Sequence, residues 1–234
     1  MSLSYELIAN DGNARRGRVT TQRGTFETPI FMPVGTRGAV IHLDARDYAD
    51  LGMEVVLGNT YHLMLRPGAE VIKEMGGLHS FTNWDGHMLT DSGGFQVMSL
   101  RDNVKIDDQG VDFTSIYDGK KVRFTPEVAV KTQEDLGADI QMVLDVCAAL
   151  PATDEQVIMA MKRTHQWAER AKAAHTRPDQ ALFGIVQGGI SPDLRHESGA
   201  ALANLDFEGY GIGGLSVGES HMEMMPALRA ALEE

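Results

Sequence analysis

Apolar and polar positions alternate with a period of two near the start of the chain, as in Tyr5-Glu6-Leu7-Ile8 and Thr25-Phe26-Glu27, with Gly, Thr and Pro between them. That pattern predicts an N-terminal antiparallel β segment over residues 1–38. Beyond it the chain changes to short apolar runs, each followed by a turn and a stretch of helical period, the sequence form of repeated β/α units. Six strands are predicted, over 39–43, 55–59, 87–91, 140–145, 182–187 and 210–214. The helices are marked by their ends. Thr125-Pro126-Glu127 supplies a cap, a proline at the first helical position and an acid in the first turn, and Gly137 closes that helix. Thr153, Ser191 and Ser220 open three more, and shorter ones are predicted from Asp44 to Leu51 and from Gly68 to Met75. Residues 104–124 alternate again and carry Asp107-Asp108-Gln109-Gly110 and Asp118-Gly119, so they read as an inserted hairpin or small sheet.

Six β/α units fit either an open doubly wound sheet or a (β/α)8 TIM-type barrel cut short, within a single domain over 1–234. Polar residues decide between them. Asn59, Asp91, Asp145 and Gln187 stand at the C-terminal ends of four predicted strands, and a fifth ends in Gly213-Gly214. A barrel collects groups from many strands on its catalytic face, whereas an open sheet concentrates its contacts at one switch point. No Gly-rich dinucleotide or phosphate-loop fingerprint follows the first of these strands, which weakens the open sheet further.

Composition narrows the function. The 234 residues are 43% hydrophobic and 23% charged, the proportions of a globular protein. No apolar run reaches the ~18 residues of a membrane span, and no secretory signal opens the chain, so a cytoplasmic protein without membrane attachment is expected. A single cysteine, Cys147, excludes an internal disulfide and a cysteine-only zinc site within the chain. The net charge of −12 argues against nucleic-acid binding by a broad cationic surface. Basic runs at Arg15-Arg16-Gly17-Arg18 and around Lys120, Lys121 and Arg123 read as solvated faces.

Four segments carry candidate chemistry. Thr90-Asp91-Ser92-Gly93-Gly94-Phe95-Gln96 joins an acid, a hydroxyl and two glycines after an apolar run, with Phe95 as a stacking surface, although Asp-Ser-Gly-Gly is also an ordinary turn. Asp145 ends an apolar strand and needs a donor, either a structural arginine or the N–H groups of a ligand. Cys147 reads as a pocket-lining side chain. Gly184-Ile185-Val186-Gln187-Gly188-Gly189 and Gly211-Ile212-Gly213-Gly214-Leu215 supply an amide and exposed backbone N–H groups. A phosphate cradle is the rival reading for these glycines, but no lysine or arginine adjoins them. Together the groups suit a purine. Guanine offers N1–H and a 2-amino group beside its O6 acceptor, so a carboxylate can accept from both donors while an amide and a backbone N–H donate to O6.

These segments, with Phe31-Met32-Pro33-Val34-Gly35-Thr36, Gly58-Asn59-Thr60-Tyr61-His62-Leu63, Arg66-Pro67-Gly68 and Gly213-Gly214-Leu215-Ser216-Val217-Gly218-Glu219, resemble the tRNA-guanine transglycosylase family of bacterial type, also called queuine tRNA-ribosyltransferase. The resemblance covers nearly the whole chain. It implies exchange of guanine at the wobble position of tRNA for a 7-deazaguanine, preQ1, in queuosine biosynthesis, through a covalent ribosyl-enzyme intermediate. It implies Asp91 as catalytic acid and base. The substrate-binding residues it implies are Ser92, Gly93, Gly94, Phe95, Asp145, Gln187, Gly213, Gly214 and Leu215. The partners would be the tRNA anticodon loop, the preQ1 or guanine base, and a second copy in the complete protein. The family's nucleophilic aspartate and the ligands of its Zn(2+) lie beyond the residues matched here, so an incomplete barrel without metal ligands is expected. Leu144-Asp145-Val146-Cys147 departs from the Phe-Asp-Glu-Cys typical of bacterial relatives. The alternative is a non-catalytic relative or fragment that binds a purine base or a partner subunit.

Overall fold

Strands β1 (Leu3–Asp11), β2 (Ala14–Thr21) and β3 (Gly24–Thr28) pair antiparallel in that order, with Tyr5 opposite Val19 and Val19 opposite Phe26. Alternation explains their burial, since Gly17, Val19 and Thr21 are buried while Arg16, Arg18 and Thr20 face solvent. The computed structural model of the chain describes residues 2–94, 96, 104–148 and 150–233. After β3 the order is β4 (Val34–Gly35), α1 (Ala45–Asp50), β5 (Val55–Gly58), α2 (Thr60–Leu65), α3 (Ala69–Glu74), α4 (Leu78–Thr82) and β6 (His87–Thr90). Then come β7 (Lys105–Asp107), β8 (Gly110–Thr114), β9 (Lys121–Phe124), α5 (Pro126–Leu136), β10 (Ile140–Met142), α6 (Asp154–Ala174), β11 (Ala181–Val186), α7 (Pro192–Ala203), β12 (Gly209–Ile212) and α8 (His221–Ala231). The fold class is mixed α/β with parallel strands and intervening helices.

Two compact units divide these elements. In the first (Met1–Asp91, Lys131–Gln141, Thr176–Ala181), parallel pairing sets Val34 opposite Leu57, Val55 opposite His87 and Ile140 opposite Leu89. Its core is Leu63, Ile72, Leu78, Met88, Leu136 and Ala138. Asp139 is buried in this unit and fully partnered: His79 Nε2 lies 3.0 Å from Oδ2, the Met88 N–H donates at 2.8 Å and Arg23 Nε donates at 3.1 Å. Burial alone would raise its pKa, but His79, that N–H and Arg23 hold the carboxyl below the ordinary value.

The predicted strand over 39–43 is instead a pair of turns. Gly38 takes φ 83° and His42 takes φ 68°, and the N–H groups of Gly38 and Leu43 donate to Gly35 O and Val40 O. Left-handed residues at both positions break an extended run, and the strand falls earlier, at Val34–Gly35.

In the second unit (Ser92–Val130, Met142–His175, Leu182–Glu234), β11 and β12 pair in parallel, Ile185 opposite Gly211, and the Val143 N–H donates to Phe183 O at 3.0 Å. Its core gathers Val130, Val143, Ala168, Leu182, Val186 and Leu202. Strands β7, β8 and β9 form a separate antiparallel sheet. The β7–β8 turn is tied to α6 by polar contacts: Trp167 Nε1 and Arg170 Nη1 donate to Asp108 O, Arg170 Nη2 donates to Gln109 O, and Arg163 reaches the Asp108 carboxylate at 2.7 Å. Arg170 also forks onto Glu127 in the first turn of α5 at 2.7 and 2.8 Å. Chiefly through Arg170, the Glu127 pKa is lowered to about 2. A carboxyl depressed in this way stabilises the fold above its unfolded value of 4.5, and that stability is lost as pH falls towards 2. Arg170→Met is expected to cost about 1–2 kcal/mol in urea unfolding at neutral pH, with the gap from wild type narrowing as pH falls from 4.5 through about 2 to the part carried by the Asp108 and Gln109 carbonyls; a gap that is constant with pH would exclude the Glu127 contact as a contributor.

Candidate active site

Two groups of the expected residues are built separately, one in each unit. In the first, Asp91 directly follows β6, and its backbone N–H continues the sheet to Gly58 O at 3.1 Å. Its carboxylate is held by neutral donors, Asn59 Nδ2 at 2.6 Å and the Thr60 N–H at 2.9 Å, while Thr60 Oγ1 donates to Asp91 O at 2.5 Å. Asn59 also caps α2, its Oδ1 accepting the His62 N–H at 3.2 Å. One side chain therefore starts a helix and orients the acid. Thr60 carried no signal in the sequence, because its donation to Asp91 depends on β5 and β6 being neighbours.

In the second unit the structure brings together Ser92, Gly94, Asp145, Gln187, Gly213 and Gly214. Asp145 lies just past β10 and is partly buried. Ser92 Oγ donates to its Oδ1 at 3.1 Å, and Gln187 Nε2 donates to its Oδ2 at 2.7 Å. Ser92 Oγ in turn accepts the Gly94 N–H at 3.1 Å. A Cβ on Gly94 would stand 2.7 Å from Asp145 Oδ1, so only glycine admits the carboxylate there. Gly93 takes φ 79° and is buried. Phe95 lies outside the described residues.

Of the two donors considered for Asp145, a structural arginine is not found: no ion pair reaches it among the described residues. Burial pushes its pKa up, against the opposing hydrogen bonds from Gln187 and Ser92. A carboxylate offers about four lone-pair sites. Ser92, Gln187 and the backbone N–H of Asp145 itself donate to it, which leaves some acceptor capacity on the carboxylate, and Gln187 keeps its second Nε2–H for an acceptor. Cys147 is buried, and desolvation followed by the Asp145 charge pushes its thiol up to about 11. Such a shift keeps the thiol protonated at neutral pH, which argues against a nucleophilic role.

Glycine is required beside Gln187 as well. A Cβ on Gly213 would meet Gln187 Nε2 at 2.6 Å, and one on Gly214, at φ 64°, would meet Oε1 at 2.4 Å. Leu215 is partly buried after this pair. Two further residues hold the loops. The Gln187 N–H donates to Ser198 Oγ at 3.1 Å, and that hydroxyl lies 2.9 Å from His165 Nε2. Arg195, 0% exposed in the first turns of α7, reaches the backbone at the ends of both β11 and β12. Sequence reading missed it, since an arginine in a helix opening with Ser-Pro-Asp looks solvated.

The profile of the family described as Queuine tRNA-ribosyltransferase matches residues 11–234. The chain belongs to that family. A Queuine tRNA-ribosyltransferase of Marinobacter nauticus is 53% identical over 226 residues, 97% of this chain and 61% of the relative. Those of Herpetosiphon aurantiacus and Pseudomonas putida are 54% and 52% identical, over 95% and 97% of this chain and 57% and 61% of their own lengths. The chain thus spans about three fifths of the length of these relatives.

In this member of the queuine tRNA-ribosyltransferase family Asp145, which pairs with no cation among the described residues, is also an acid with a raised pKa. A carboxyl whose folded pKa lies above its unfolded value of 3.8 lowers stability as pH rises from that value through the folded one, and the loss persists above it. Ser92→Ala removes a donor to the anion and is expected to move the Asp145 midpoint, followed by carboxyl carbon NMR, still higher. Asp145→Asn is expected to remove the loss of thermal stability over this pH window. A Ser92→Ala midpoint unchanged or lower would contradict the assigned contact.

Proposed function

We propose that the chain is the base-recognising part of a tRNA-guanine transglycosylase with a (β/α)8 barrel, which exchanges guanine at the wobble position of tRNA for the 7-deazaguanine preQ1. The observation that carries this reading is the cluster of Ser92 and Gln187 on Asp145. It is a pair of carboxylate oxygens with acceptor capacity left over beside an amide with an unused N–H, the complement of guanine N1–H, 2-amino and O6. Support also comes from the family, whose named relatives are queuine tRNA-ribosyltransferases. The wobble base must leave the anticodon stack to be gripped on this edge.

On this reading Asp145 accepts from N1–H and the 2-amino group, and the carboxylate charge strengthens both bonds. Gln187 donates to O6. Asp91 serves as general base towards the incoming base and as general acid towards departing guanine. Asn59 and Thr60, which both donate to its carboxylate, fix its orientation. The exchange retains the ribose through a covalent intermediate, the two-step logic of retaining glycosyl transfer. None of the residues assigned here is the nucleophile of that step, so turnover is expected of the longer polypeptide that the relatives represent and base binding of this chain. The family's Zn(2+) does not fit the donors present. The one cysteine is buried beside Asp145, and no group of three or more His, Cys, Asp or Glu is placed to hold a metal among the described residues. No step is routed through the ion.

Asp145→Asn replaces one acceptor oxygen by a donor facing N1–H or the 2-amino group, and is expected to weaken guanine binding by about 100-fold in equilibrium dialysis. Asp91→Asn in the longer polypeptide is expected to lower kcat for guanine exchange into tRNA by about 100-fold or more, with a much smaller change in KM. Equal effects of the two substitutions on both parameters would mean that the roles are wrongly divided.

A further inference from the structure

Arg195 is the most completely buried cation described, at 0% exposure, and each of its hydrogen bonds among the described residues is to a backbone carbonyl. Its Nε donates to Gly189 O at 2.9 Å. Nη1 donates to Val186 O at 2.9 Å and Gly213 O at 2.7 Å, and Nη2 donates to Gly214 O at 3.3 Å. No carboxylate pairs with it among the described residues. Burying a guanidinium is costly unless its donors are satisfied, and here the two loops flanking Gln187 satisfy them.

The consequence follows from peptide planarity. In a trans peptide the carbonyl of one residue and the N–H of the next point in opposite directions. With the Gly213 and Gly214 carbonyls turned onto Arg195, the N–H groups of Gly214 and Leu215 are turned away from it, and neither has an acceptor among the described residues. Gln187 packs against the same two glycines, its amide oxygen and nitrogen 2.4 and 2.6 Å from where Cβ atoms on Gly214 and Gly213 would be. The guanidinium charge also polarises the two peptide units and makes their N–H groups stronger donors.

We infer that Arg195 is the positioning residue that aims the consecutive N–H groups of Gly214 and Leu215 at the exocyclic oxygen of an oxo-purine, and so sets selectivity at that one atom. Arg195 itself touches no substrate. The inference rests on the base-binding reading above and adds a residue that its recognition scheme lacks. The fork geometry matters as well as the charge, because a lysine ammonium presents three donors from a single atom and cannot span the four carbonyls.

The test compares guanine with 6-thioguanine, which keeps N1–H and the 2-amino group and replaces O6 by sulfur, a weaker acceptor. Equilibrium dialysis of radiolabelled bases against this chain is expected to show that Arg195→Lys weakens guanine by about tenfold or more and 6-thioguanine by less than about threefold, so that the preference between them collapses. Equal weakening of both bases would overturn the inference, because a general loss of structure cannot single out one atom. Failure of the wild-type chain to bind either base would instead overturn the base-binding reading. Should Arg195→Lys not fold, amide NMR of the wild-type chain decides. Saturating guanine is expected to shift the Gly214 and Leu215 N–H protons downfield, and 6-thioguanine to shift them less. Unmoved amides, with Asp145 and Gln187 perturbed, would overturn it.

Discussion

The candidate site depends on a partly buried carboxylate that no cation pairs with among the described residues. Asp145 is held by one hydroxyl and one amide, each neutral, and burial raises its pKa. A structural acid in the same chain shows the contrast. Asp139, at the other end of β10, has an arginine, a histidine and a backbone N–H, and its pKa is held down. The fold can therefore pair an internal acid with a cation, as Arg23 does at Asp139. On the proposed reading, Asp145 gives up stability and keeps acceptor capacity for donors that arrive with a ligand.

Rigid surroundings make that capacity selective. Gly94 lets the backbone approach the carboxylate, Gly213 and Gly214 leave room for the Gln187 amide, and a side chain at any of the three would collide with the polar atoms. Ser198 and Arg195 hold the same loops from behind, one through the Gln187 N–H and the other through four carbonyls. The Gln187 and Asp145 side chains also hold each other, and such preorganisation lowers the ordering cost of binding.

The sequence makes strand-end chemistry legible because a polar residue closing an apolar run has few structural reasons to be there. Asn59, Asp91 and Gln187 each directly follow a strand, and Asp145 lies a short step past β10. Helix ends were equally readable, and capping boxes form at Thr153 and Ser220. The strand expected over 39–43 was misread because its apolar residues fill turns created by left-handed Gly38 and His42. Helices α2 and α4, of six and five residues, are too short to display a period. Arg195 and Thr60 were invisible for a different reason. Their partners are backbone groups or an acid brought near by tertiary structure, and no local pattern encodes such contacts.

The most direct test of the account is a crystal structure of this chain with guanine bound. The account predicts N1–H and the 2-amino group on the two Asp145 oxygens and O6 within hydrogen-bond distance of Gln187 Nε2, with Ser92 still donating to the carboxylate. Guanine seated away from Asp145, or bound there with its N1–H edge turned to solvent, would contradict it.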